Sequence, residues 1–144
     1  MLIAIFGESC TGKSTLAQLL QRELNAELYT GKDYLRLAKS EAIAKKLFQN
    51  KLAAATEGKH IIYVIAEREH LALLPDKAFR ILVTADIETI KTRFAARMNG
   101  NLPAPVAAML ERKHGCFDGE PHDFHAISGI TSPDDVLCAV KACL

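Results

Sequence analysis

The residues best suited to chemistry lie in one short run, Gly7-Glu8-Ser9-Cys10-Thr11-Gly12-Lys13-Ser14, with Thr15 directly after it. The spacing is G-x-x-x-x-G-K-[ST]. Glycines at both ends let the backbone curl, so that successive N–H groups converge on one point. An ammonium and a hydroxyl follow at once. That combination suits a polyphosphate: Lys13 would reach the β- and γ-phosphates, and the Ser14 hydroxyl would ligate Mg²⁺. The expectation is a site for ATP with Mg²⁺, with GTP as the lesser alternative. Gly7, Ser9, Cys10, Thr11, Gly12, Lys13, Ser14 and Thr15 would surround the phosphates. The Cys10 thiol is either activated by the local positive field or a passive filler of the loop.

A cradle of this kind needs a strand before it and a helix after it, the helix adding its positive end. Both are legible. Leu2 to Phe6 is a continuous apolar run, as in a strand buried on both faces. Lys13 to Leu24 carries Leu16, Leu19, Leu20 and Leu24 at helical spacing. Further strands are read at Glu27 to Thr30, Ile61 to Ile65, Phe79 to Thr84 and Phe124 to Ser128. Helix is read over Asp33 to Thr56, broken near Lys39-Ser40, over Ile87 to Met98 behind an Asp86 cap, and over Pro105 to His114. Ser132-Pro133-Asp134-Asp135 starts a last helix, running to about Ala142. Strands alternating with helices imply a parallel sheet covered on both faces, a three-layer α/β domain.

The chain has 144 residues, 49% hydrophobic and 24% charged, enough for one core and one domain. A net charge of +1, with scattered lysines and arginines, sets up no field for nucleic acid or an anionic membrane. No apolar run approaches a membrane span. Cys10, Cys116, Cys138 and Cys143 have neither C-x-x-C nor zinc-site spacing, and they read as reduced thiols of a cytoplasmic protein. His114, His122 and His125 make no metal-ligand spacing with them. The sequence leaves the oligomeric state open.

Among phosphate-binding classes, GTPases need an Asn-Lys-x-Asp segment, and here Asn50-Lys51 is followed by Leu52-Ala53 inside a helical stretch. A small chain with the motif close to its start fits small-substrate kinases. Thr30-Gly31 with Tyr34 looks like a Thr-Gly-x-x-Tyr segment. Glu67-Arg68-Glu69 looks like a Gly-Arg-Asp turn, with Leu74-Pro75-Asp76 leading into the next strand. Lys91-Thr92-Arg93 through Arg97 looks like a basic helix entering a lid, and Glu111-Arg112 like the lid's returning arm. Ser128-Gly129 with Ser132 to Val136 looks like a closing strand and helix. In these features the chain resembles the cytidylate kinase-like members of the nucleoside monophosphate kinase group. The resemblance implies the P-loop NTPase fold, with five parallel strands in the order 2-3-1-4-5. It also implies a short acceptor-binding insertion over 32–58 and a lid-like segment over 97–118. Glu67 stands where the family has glycine, and Glu69 where it has aspartate.

Roles follow for individual residues. Arg93 and Arg97 are one helical turn apart and share a face; the resemblance makes them lid arginines that neutralise charge on the transferring phosphoryl group, beside Lys13. Arg68 follows a buried strand at its C-terminal end, where ligands of open α/β sheets sit, and an acceptor phosphate is its expected partner. Arg112 joins the acceptor side on the same resemblance. Glu67 orients Mg²⁺ through water, accepts from a substrate hydroxyl, or pairs with Arg68. Asp33 is either a carboxylate near the acceptor hydroxyl or a helix cap, and Arg36 either binds an acceptor phosphate or is exposed. The expected function is transfer of the ATP γ-phosphate to a nucleoside monophosphate. The alternatives are a kinase for a non-nucleotide hydroxyl metabolite, and a nucleotide-binding module without turnover.

Overall fold

The computed structural model describes residues 1–56 and 58–144. Position 57, inside the insertion read over 32–58, lies outside the described residues. The strands are β1 (Leu2–Phe6), β2 (Glu27–Thr30), β3 (Ile61–Ile65), β4 (Phe79–Thr84) and β5 (Phe124–Ile127); the helices are α1 (Lys13–Leu24), α2 (Glu41–Ala53), α3 (Ile87–Arg97), α4 (Ala104–Lys113) and α5 (Pro133–Ala142). The five strands form one sheet in the order β2-β3-β1-β4-β5. Every pairing is parallel, with Leu2 beside Ile61, Ile3 beside Phe79, Glu27 beside Ile61 and Ile81 beside Phe124. This is the α/β architecture and strand order expected for a P-loop NTPase fold.

The apolar run of β1 is buried along its whole length because the sheet is covered on both faces. Alternate side chains serve alternate layers. Leu2, Ala4 and Phe6 pack with Tyr29, Phe48, Leu52 and Tyr63, under α2. Ile3 and Ile5 pack with Leu16, Ala17 and Leu20 of α1 and with Val136 and Val140 of α5. A smaller cluster joins Cys10, Ala85, Ile90 and Leu110, seating α3 and α4 beside the loop that follows β1.

The caps sit where the sequence places them. Asp86 Oδ1 accepts from Thr89 N at 2.7 Å, and Ser132 Oγ accepts from Asp134 N at 3.1 Å. The break near Lys39-Ser40 is real, since Ser40 caps α2, its Oγ accepting from Ile43 N at 3.5 Å. Two details differ from the sequence reading. Asp33–Leu37 is a 3-10 helix rather than the first turns of an α-helix, and Arg68–Leu73 forms a second 3-10 helix with no sequence counterpart. Both are short tight turns that carry the chain from a strand end over the sheet, where an α-helix has no length to develop. No helix among the described residues is long and apolar enough to cross a membrane. All four cysteines are free thiols.

Candidate active site

The direction of strand addition switches at β1, which lies between β3 and β4 in the parallel sheet. The crevice at the strands' C-terminal ends there is the expected ligand position in an open α/β sheet. The loop after β1 enters that crevice because Gly7 permits a very close approach. Gly7 N donates to Ile65 O at 3.2 Å, and a Cβ at Gly7 would lie 2.1 Å from the Val83 carbonyl oxygen of β4. No other residue fits without moving β4. At the other end Gly12 adopts φ 98°, the left-handed region that glycine enters freely. Cys10 also has positive φ, at 63°, and is buried.

Gly12 delivers the chain into α1 without a side-chain cap. The first helical bond runs from Leu16 N to Gly12 O at 3.2 Å, so the N–H groups before it point toward the loop's concavity with no helical acceptor. Thr11 is buried inside the loop, with Oγ1 donating to Glu8 O at 2.9 Å. Lys13 is buried too and folds back to donate to Glu8 O. Its ammonium falls from the ordinary 10.5 to about 8, mainly through desolvation; Cys10 and Glu8 oppose the fall and Arg97 adds to it. Partly stripped of water and facing another cation, Lys13 is primed for an anion.

Arg93 and Arg97 come to the same place from α3. Arg93 clamps two loops, donating from Nη1 to Cys10 O at 3.1 Å and from Nη2 to Ser128 Oγ at 2.9 Å. Arg97 lies one turn further along, at the junction of two cavities. The larger, about 690 Å³, runs from Cys10, Gly12 and Thr15 past Arg93 to Ser128–Pro133. The smaller, about 230 Å³, is bounded by Lys13, Ser14, Thr30, Gly31, Glu67 and His70. Cys10, Gly12, Thr15 and Arg97 line both. Ser14 and Glu67 face the smaller one together, which fits a hard cation held by a hydroxyl, an acidic group and phosphate oxygens.

The remaining residues singled out from the sequence lie elsewhere. Arg68 pairs with Glu120, Nη2 to Oε1 at 3.0 Å, on an exposed edge. Arg36 places its guanidinium 4.5 Å from the centre of the Tyr29 ring. Asp33 Oδ2 accepts from Thr30 N at 2.9 Å, which braces the turn after β2 rather than capping a helix. Arg112 is exposed on α4. None of these four lines either cavity.

Sequence reasoning missed Ser128 and Thr131 on the wall of the larger cavity, His70 on the smaller, and the contact between His114 Nδ1 and Glu8 Oε1 at 3.1 Å. His70 had one available signal: it follows the C-terminal end of an inner strand by a single short turn. His114 belongs to the segment 97–118, which is seated against the loop after β1. Lys91 pairs with Glu111, and Phe117 packs on Phe6 with ring centroids 5.7 Å apart.

No protein-family model and no curated protein sequence matches the chain. Solved structures do. A shikimate kinase from Acinetobacter baumannii, in complex with shikimate, aligns with a TM-score of 0.67 at 12% identity, over 99% of this chain and 91% of its own. A gluconokinase from Sinorhizobium meliloti aligns at 0.61 and 11% identity, over 97% and 89%. The YorR protein of Bacillus subtilis, in complex with phosphorylated GDP, aligns at 0.63 and 24% identity, over 99% and 95%. At these identities the likeness is one of fold, and the fold of this chain is that of small P-loop kinases.

Proposed function

We propose that this protein is an ATP-dependent small-molecule kinase, moving the γ-phosphoryl group to a hydroxyl of its acceptor. One observation carries the reading: two cavities meet at the phosphate loop and share Arg97 at their junction. The larger has room for a nucleoside, and the smaller opens on the far side of Lys13. A phosphoryl group held at the junction lies between donor and acceptor, where in-line transfer requires it.

The roles follow from placement. The loop N–H groups and the start of α1 hold the β- and γ-phosphates. Lys13 leaves the Glu8 carbonyl and turns to them. Arg97 neutralises charge building on the equatorial oxygens, and Arg93 keeps the phosphate loop and the loop after β5 at fixed spacing. As the acceptor oxygen bonds to phosphorus, the bond to the β,γ-bridging oxygen breaks and the acceptor proton passes to a carboxylate. Glu67 lines the acceptor cavity and suits that task better than Asp33, which is bound to Thr30 N. Ser14 would hold Mg²⁺, with Glu67 reaching it through water; the ion supplies charge neutralisation on the phosphates when bound. The segment 97–118 serves as the lid, while none of the described residues of 32–58 lines the acceptor cavity.

The acceptor cavity is smaller than the roughly 300–1,000 Å³ usual for drug-sized ligands, and neither Arg36 nor Arg68 faces it. Both features favour a compact hydroxylated acceptor, as do the shikimate kinase and gluconokinase of like fold. A nucleoside monophosphate is the second reading, favoured by Thr30 and Gly31 of the Thr-Gly-x-x-Tyr segment on the cavity wall. The test is ATP consumption with Mg²⁺ against hydroxylated metabolites, nucleosides and nucleoside monophosphates, with Lys13→Ala as control. Turnover of a hydroxy acid or sugar, lost in the control, is the expected result. Turnover of monophosphates alone would favour the second reading. No turnover of any acceptor by protein that binds Mg-ATP would leave a nucleotide-binding module and refute the kinase.

A further inference from the structure

His70 is a buried polar side chain of the acceptor cavity that the reaction above does not use. His70 is 6% exposed, and its Nδ1 has no hydrogen-bond partner among the described residues. Burying an imidazole nitrogen unpaired destabilises a fold, and an apolar side chain would fill the same space without that cost. The ring is also held. It stands edge-on to Tyr34, with centroids 6.5 Å apart, and tilted against Tyr63 at 6.4 Å. Tyr63 in turn donates its hydroxyl to Gly31 O at 2.7 Å, and Gly31 shares the cavity wall with His70. Glu69 Oε1 lies 3.8 Å from Nε2, beyond a hydrogen bond but on the side that favours an N–H there. In the tautomer with the proton on Nε2, Nδ1 is an acceptor.

We propose that His70 is an acceptor-binding residue, its imidazole taking a hydrogen bond from a hydroxyl of a compact polyhydroxylated substrate. The assignment rests on the kinase reading and narrows its substrate class. A neutral imidazole offers one donor and one acceptor, matching a hydroxyl group, whereas a phosphate needs several donors. The two arginines that could have gripped a phosphate on this side are turned to Tyr29 and Glu120. On the wall away from Lys13, Ser14 and Arg97, Thr30, Glu67 and His70 make a hydroxyl-reading set.

The test uses the whole protein with Mg²⁺ and a non-hydrolysable ATP analogue. D-gluconate, shikimate and CMP are titrated separately while the His70 ring nitrogens are followed by ¹⁵N NMR, assigned by their loss in His70→Phe. The expected result is a saturable shift with one of the hydroxy acids and none with CMP. In steady state, His70→Phe should raise KM for that acceptor about tenfold or more while leaving KM for ATP within about twofold. His70→Asn, which restores a carbonyl acceptor, should recover most of the loss. His70→Phe should also melt no lower than the wild type, since it removes an unpaired buried nitrogen. No shift with any of the three probes, in protein that binds the analogue, overturns the assignment while leaving the kinase reading standing. Failure to bind the analogue overturns both. A shift with CMP alone overturns the substrate class, and equal changes in both KM values would make His70 a structural residue.

Discussion

The two sides of the phosphate loop were built by different means. At the proposed phosphate site, one local run of residues does almost everything: Gly7 passes β4, Gly12 turns into α1, and Lys13 and Ser14 arrive in order. On the acceptor side, the wall is assembled from Thr30 and Gly31 after β2, Glu67 after β3 and His70 within the following 3-10 helix. The first is a backbone device encoded in spacing. The second is a meeting of side chains from separate crossovers. Arg68 and Arg36, expected there from the sequence, lie instead against Glu120 and Tyr29.

The largest expected effects fall on the nucleotide side. Gly7→Ala forces a methyl into the Val83 carbonyl oxygen, a backbone atom that cannot step aside. It should cost about 1–3 kcal/mol of stability and remove Mg-ATP binding, measured by urea unfolding and calorimetry. Next is Arg97→Ala, expected to lower kcat about 10²- to 10³-fold, as loss of one well-placed charge at a transition state does. Arg93→Ala should act more on ATP affinity, because its two bonds position loops rather than reacting atoms. A Km-dominated loss in the Arg97 variant would break this division of labour.

The acceptor-side arginines should matter far less. Arg68→Ala removes an exposed pair worth under about 1 kcal/mol and should change acceptor KM less than threefold or so. If it matched Arg97→Ala in its effect, the contrast between the two sides would fail, and Arg68 would have to swing from Glu120 into the cavity during turnover.

A smaller, graded effect concerns pH. Lys13 titrates at about 8 in the folded protein against 10.5 ordinarily. Between those values the unfolded chain holds a proton that the folded one has released, so this group makes stability rise with pH across that window. Nucleotide affinity has the opposite sign. The phosphates require the ammonium, so binding should take up a proton above about pH 8 and weaken as pH climbs. Calorimetry in two buffers of different ionisation heat would read the proton directly, and Lys13→Met should abolish the uptake.

This contrast also explains what could be read from the sequence. The strands and caps depend on periodicity and near neighbours, and they are where the sequence places them. The 3-10 helix at Arg68–Leu73 carries no periodic signal, being too short. The bond of Arg93 to Cys10 O joins residues 83 positions apart, and the resemblance to lid arginines suggested a role for Arg93 but not this partner. Glu8 was just a variable position of the motif, yet it holds His114 from the end of α4. Such pairs depend on the sheet order, which brings distant loops to one edge, and no local spacing reports them.

The most direct test of the central claim is calorimetric titration of Mg-ATP into the wild type and into Lys13→Ala, with circular dichroism to show that both are folded. The account predicts saturable binding by the wild type, weakened about ten- to hundredfold or more in the variant, as loss of a charged hydrogen-bond donor implies. Equal binding by the two proteins would contradict the role of Lys13. No binding of Mg-ATP or Mg-GTP by folded wild type would contradict the account as a whole.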